Sequence, residues 1–167
     1  MQKYKNKNII ISIIILSFFC FDDNIPHFLF ENNLLKREPK ISVIIPIYNG
    51  EKYIHYSLGS VLNQTLKDIE VIIVEDNSND DSLKIIKNYM EKDERIILIR
   101  NRENRKILFC KSIGVLNSKG KYIFVLDQDD MLIRDDAFDL LYNECEKNDL
   151  DLINFKHKSV KFGFKNI

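Results

Sequence analysis

Three carboxylates fall within four residues of the stretch "KYIFVLDQDDMLI", where an apolar run ends at Leu126 and Asp127, Asp129 and Asp130 follow. Like charges packed that closely repel, and they stay ionised together only beside a cation, a set of donors or open water. Just past a strand end, extended backbone would send Asp127 and Asp129 to one side while Gln128 points away. Two hard oxygen ligands facing a shared point suit Mg²⁺ or Mn²⁺, ions that usually complete their shell with water and phosphate oxygens. The substrate that such a pair implies carries a diphosphate.

Other acids gather in the same way. "PIYNGEK" follows one apolar run and "EDNSNDDS" another, so short polar residues collect after successive strands. Asp76 directly ends the run "EVIIVE", where a side chain points into a cleft. Asp80 and Asp81 read equally well as acids at the positive end of the next helix, and Asp135 and Asp136 read as caps. His27, His55 and His157 are scattered singly and read as surface or core residues. Cys20, Cys110 and Cys145 show neither CxxC spacing nor histidines at metal-ligand intervals, so neither a zinc site nor a disulfide framework is supported.

These residues need elements to carry them. From Lys40 onward, runs rich in β-branched residues alternate with amphipathic ones: strands over 41–46, 70–75, 96–99, 122–126 and 151–155, and helices near 51–63, 80–92, 107–118 and 136–147. Strands apolar on both faces and separated by helices indicate an α/β fold, a mostly parallel sheet between helices. Ligands of such sheets sit at the carboxyl ends of the strands, where the acids above fall.

The 167 residues suit one domain plus an extension, and a hydrophobic content of 45% is enough for a core. Lys plus Arg and Asp plus Glu number 25 each, so no basic excess points to nucleic acid. After Lys3, Lys5 and Lys7, the 13-residue apolar run over 9–21 reads as a signal peptide or an uncleaved signal anchor. It predicts membrane association in the secretory pathway or endomembranes (ER or Golgi), with the domain on the side away from the basic N-terminus. Residues 22–39 read as a stem, 40–155 as the domain and 156–167 as a basic tail. "NQT" at Asn63 fits a glycosylation sequon but reads as structural, at a helix end.

The ordered strings "ISVIIPIYNGEKYIHYSLGSVLNQTLKDIEVIIVEDNSNDDS" and "SIGVLNSKGKYIFVLDQDDM" resemble the family 2 glycosyltransferases of the GT-A fold. The resemblance implies a Rossmann-like, N-terminal nucleotide-binding half and inverting transfer of a sugar, often UDP-linked, to an acceptor hydroxyl. It implies that Pro46 and Tyr48 line the nucleoside pocket and that Asp76 accepts from the base N–H. Asp127 and Asp129 would form the D-x-D pair on Mn²⁺ or Mg²⁺, with Asp129 the direct ligand. Where many members have a glycine and then an Arg-Asn pair, this chain has Lys106 and then Lys111–Ser112. Lys111 still offers charge to phosphate, without the bidentate fork of arginine. The acceptor half and its catalytic carboxylate, which follow the D-x-D in this family, are not found before Ile167. The rival reading is a non-catalytic nucleotide-sugar-binding or interaction protein.

Overall fold

A computed structural model describes residues 29–31 and 38–154. The apolar segment over 9–21 and the basic tail lie outside those residues. Among the described residues no helix is long and apolar enough to cross a membrane.

Isoleucine and valine fill the central strands because branched side chains pack well on a pleated surface covered on both sides. The elements in chain order are β1 (Leu29–Glu31), β2 (Ile41–Ile47), α1 (Ile54–Leu62), β3 (Ile69–Glu75), α2 (Ser82–Met90), β4 (Ile96–Arg100), α3 (Lys106–Leu116), β5 (Tyr122–Val125) and α4 (Ala137–Asn148). The sheet order is β1-β4-β3-β2-β5. β2, β3, β4 and β5 run parallel, and β1 pairs antiparallel with β4. The segment read as a stem thus contributes an edge strand.

Side-chain parity sorts the core into two layers. Val43, Ile45, Val71, Ile73, Ile96 and Leu98 face α1, α2 and Phe138 of α4, while Ile72, Val74, Ile97 and Ile99 face Cys110 and Ile113 of α3. The chain steps one way from β2 to β4 and then crosses back through α3 to β5. Right-handed crossovers taken in opposite directions put their helices on opposite faces. α3 can lie this close to β2 because Gly114 has no side chain: a Cβ there would come within 2.3 Å of Ile44 Cγ2. The reversal leaves a crevice between the carboxyl ends of β2 and β5, the place where open α/β sheets take ligands.

Two expectations change. Residues 151–154 form no strand, although "DLINF" has strand composition. α4 ends at Asp149 with φ 52°, and Leu152 just beyond is 85% exposed. A short apolar run becomes a strand only by pairing, and no described strand pairs with this one. Asp136 occupies the N-cap position of α4 but makes no capping bond. Its carboxylate instead takes both ends of the Arg134 guanidinium, at 2.7 Å each.

Gln64 of the "NQT" string explains how the chain beyond β5 is tied down. It is buried, donates to Arg134 O at 2.7 Å and accepts from Phe138 N at 3.1 Å. Asn63 is the C-cap of α1, so the structural reading of that string stands.

Candidate functional site

At the β2–β5 crevice lies a cleft of about 440 Å³, within the usual range for small-ligand sites. Pro46, Tyr48, Asp76, Asp127 and Asp129 all line it. Five residues singled out from three separated strand ends therefore meet at one place. Lys111 does not line the cleft; it reaches Asp127 from α3, with Nζ 2.6 Å from Oδ1.

Behind Tyr48 and Asp76, the loops after β2 and β3 clip to each other. Asn49 N donates to Ser78 Oγ, Gly50 N to Ser82 Oγ at 2.8 Å, and Glu51 N to Asp80 Oδ2 at 3.0 Å. In return Asn79 N donates to Asn49 Oδ1 and Asp81 N to Glu51 Oε2. Asp80 also accepts from Ser82 N at 3.0 Å, so it both caps the entry to α2 and ties the two loops. Asp81, at the N-cap position, makes no capping bond with its side chain.

Asp76 is 2% exposed and almost fully engaged. Its Oδ1 accepts from Asn101 Nδ2 at 2.6 Å and Arg105 N at 2.8 Å, and its Oδ2 accepts from Lys106 N at 2.9 Å. The last two donors open α3, whose N-cap residue Arg105 makes no capping bond with its side chain, while Asn104 Oδ1 also accepts from Lys106 N at 3.2 Å. Asp76 is thus a cap supplied from another strand, stabilised by the positive end of the helix. A carboxylate has about four acceptor positions, so one on Oδ2 remains for a ligand. Beside it the Cys110 thiol is pushed up to about 12 by burial and by the negative charge of Asp76, so it stays protonated at neutral pH.

At the D-x-D the backbone differs from the extended form. β5 ends at Val125, and Asp130 N bonds back to Asp127 O at 3.0 Å, closing a turn. Period two stops with the strand, so Gln128 does not point away: it lines the cleft together with its two neighbours. Its Oε1 accepts from Tyr48 N at 2.9 Å and its Nε2 donates to Tyr48 O at 3.2 Å. This amide clamp stitches the end of β2 to the acidic turn. Gly50 makes room for it, since a Cβ there would sit 2.8 Å from Gln128 Oε1. Asp127 Oδ1 is buried and accepts no aligned hydrogen bond, so the Lys111 ammonium meets it as a charge. Among the described residues no group of three or more His, Cys, Asp or Glu converges as a metal cage. A pair of carboxylates that leaves the remaining positions to water and phosphate needs no such cage.

Comparison with known proteins gives this cleft its context. The model of the family described as glycosyl transferase family 2 matches residues 42–166. The chain belongs to that family. Its match reaches into the segment read as a tail. The glycosyltransferase GlyG of Streptococcus pneumoniae serotype 4 is 33% identical over 113 residues, and the poly(ribitol-phosphate) β-N-acetylglucosaminyltransferase TarP of Staphylococcus aureus is 39% identical over 122 residues. These matches take in 68% and 71% of this chain but 37% and 36% of those proteins. The chain therefore spans well under half the length of these relatives. The crystal structure of S. aureus TarS 1–349 in complex with UDP-GlcNAc superimposes with a TM-score of 0.63 at 25% identity, covering 76% of this chain and 38% of that one. The GT-A architecture is thereby shown.

Within this glycosyltransferase fold the departure at Lys106 acquires a geometry. Lys106 has φ 73°, left-handed backbone that an L side chain enters at a cost, and that glycine enters freely. Lys106, Asn104, Ile107 and Cys110 form the α3 wall of the cleft. Of these the sequence singled out only Lys106. Asn104, Ile107 and Cys110 carry no motif, and only the packing of α3 across β2 and β3 brings them to the ligand side.

Proposed function

We propose that this chain is the donor-binding part of a family 2 glycosyltransferase, taking a UDP-sugar with Mn²⁺ or Mg²⁺ for inverting transfer to an acceptor hydroxyl. The observation that carries the reading is the convergence of Pro46, Tyr48, Asp76, Asp127 and Asp129 on one cleft at the switch point of the sheet. The UDP and UDP-GlcNAc complexes of TarS support uridine as the base.

Each residue has a task in this reading. Tyr48, 41% exposed, offers its ring face to the base. Asp76 presents its remaining Oδ2 position to a base N–H. The Asp127 carboxylate, whose Oδ1 meets the Lys111 ammonium, and the adjacent exposed Asp129 carboxylate suit a hard divalent ion between them, Asp129 contacting it directly and Asp127 completing the pair. When bound, that ion would neutralise charge on the departing diphosphate. Lys106 adds positive charge to the same wall. Deprotonating an acceptor is a task for other residues, because Asp136, Asp139 and Glu144 pair with Arg134, Thr65 and Asn148, and none of them lines the cleft.

Calorimetry of the full chain with UDP tests the reading. Binding should need Mn²⁺ or Mg²⁺. Equal affinity in excess chelator would remove the metal from the account.

A further inference from the structure

Resting on the reading just given, the inference concerns Lys111, whose ammonium is the only cation that contacts the D-x-D carboxylates among the described residues. Lys111 projects from the second turn of α3. Its Nζ lies 2.6 Å from Asp127 Oδ1, an oxygen that is otherwise buried without an aligned donor. The two side chains are 32% and 39% exposed, so the pair is held by charge at a half-open edge and can exchange partners.

We infer that Lys111 is the resident counterion of the D-x-D site: it holds Asp127 when no divalent ion is bound, gives it up to the ion, and then turns to the diphosphate that the ion brings. Asp127 stands beside Asp129 and Asp130, and three carboxylates so close repel unless a positive charge is among them. A divalent ion drawn onto Asp127 competes with the ammonium 2.6 Å from Oδ1, because both are attracted to one carboxylate and repel each other. The displaced ammonium has a four-carbon stem and stays beside the cleft, where phosphate oxygens are the next anionic acceptors. Lysine suits this exchange better than arginine, since a compact point charge gives up one partner where a bidentate fork would keep two. The departure from the family's Arg-Asn pair thus becomes a working part.

The inference predicts opposite signs for two affinities. In the full chain, Lys111→Met keeps the stem and removes the charge, so Mn²⁺ alone should bind about 3–10-fold tighter, the scale of a partly exposed ion pair plus relieved repulsion. UDP at saturating Mn²⁺ should bind about tenfold weaker, the scale of one charge-assisted contact. Lys111→Arg should weaken Mn²⁺ relative to the wild type. Free Mn²⁺ is counted by electron paramagnetic resonance, and UDP by calorimetry. A measurement on the wild type needs no variant: acylation of Lys111 by an amine-reactive reagent, read by mass spectrometry, should speed up with Mn²⁺ alone and slow down again with UDP. Equal Mn²⁺ affinity in wild type and Lys111→Met, or acylation indifferent to Mn²⁺, overturns the inference while leaving metal-dependent UDP binding intact. A wild type that binds UDP equally well in chelator overturns the donor-site reading and this inference with it.

Discussion

The ends of β3 and β5 open onto the same cleft and both carry acids, but they hold them in opposite ways. At β3, Glu75 and Asp76 are buried, Glu75 meeting Arg100 at 3.1 Å and Ser78 N at 2.6 Å, and Asp76 accepting from three donors. At β5, among the described residues, Asp129 and Asp130 are spent on no side-chain partner, and Asp127 leans on a single lysine. The difference teaches that a carboxylate at a strand end is identified by how many donors the fold has already committed to it. The β3 acids build the cleft. The β5 acids are left for something to bind.

The largest expected effect breaks the β3 side. Asp76→Ala would strand Arg105 N, leave Asn101 Nδ2 only the Cys110 Sγ at 3.5 Å and Lys106 N only Asn104 Oδ1 at 3.2 Å, and weaken the cap of α3. An unsatisfied buried donor costs about 1–3 kcal/mol, and a lost cap about 1, so the free energy of unfolding should fall by about 3 kcal/mol or more. Urea denaturation measures it. A loss of uridine binding without that loss of stability would mean that Asp76 serves the ligand and little else.

The β5 side should respond the other way round. Asp129→Asn keeps the shape and removes a charged ligand, so Mn²⁺-dependent UDP binding should weaken by about 30–100-fold, about 2–3 kcal/mol. Unfolding should shift by no more than about 0.5 kcal/mol, as for an exposed residue away from packing. Destabilisation on the scale of Asp76→Ala would erase the contrast between the two strand ends.

How much of this was open to reading from the residues follows the same division. Strand and helix order was legible because the period-two and helical patterns of 41–147 are set by burial on both faces of the sheet, and "EVIIVE" or "ISVIIP" admits little else. The meeting of Pro46, Tyr48, Asp76 and the D-x-D was legible because parallel strands put their ends on one edge. Partners were not. Nothing in "DQDD" reveals that a turn replaces extended backbone, so Gln128 was assigned to the wrong side. The remote capping of α3 by Asp76 joins residues 29 and 30 positions apart, beyond any local pattern. "DLINF" misled because apolar composition does not supply a neighbouring strand.

α3 joins the two ends, since Asp76 holds its start and Lys111 on its second turn meets Asp127. Gly114→Ala should push that helix off β2, because the new Cβ would meet Ile44 Cγ2 at 2.3 Å. Overpacking of this kind costs about 1–3 kcal/mol, and chemical denaturation should show about 2. The shift would also be felt at the cleft, as weaker UDP binding with Mn²⁺ measured by calorimetry. A stability loss with unchanged UDP affinity would show that the α3 wall does not set the cleft's geometry.

The smallest expected effect is the most discriminating, because it has the opposite sign. Lys106 sits at φ 73° and donates its N–H to Asp76 Oδ2 at 2.9 Å. A lysine in left-handed backbone costs about 1–2 kcal/mol, and it persists only where its surroundings insist on it. The carboxylate of Asp76 is the main hold, since it takes the N–H groups of Arg105 and Lys106 at once, with Asn104 Oδ1 accepting from Lys106 N at the longer 3.2 Å. Lys106→Gly removes the strain but enlarges the freedom of the unfolded chain, so the net gain should be about 0.5–1 kcal/mol. In the Asp76→Ala background the backbone is released from that hold and can relax, so the same substitution should gain nothing there or cost a few tenths of a kcal/mol. The double-mutant cycle, followed by urea denaturation, should therefore show a coupling of about 0.5–1 kcal/mol between two residues joined by one hydrogen bond. Equal gains in both backgrounds would place the strain in the turn itself, and the β3 end would lose its claim to be the part of the cleft that shapes α3.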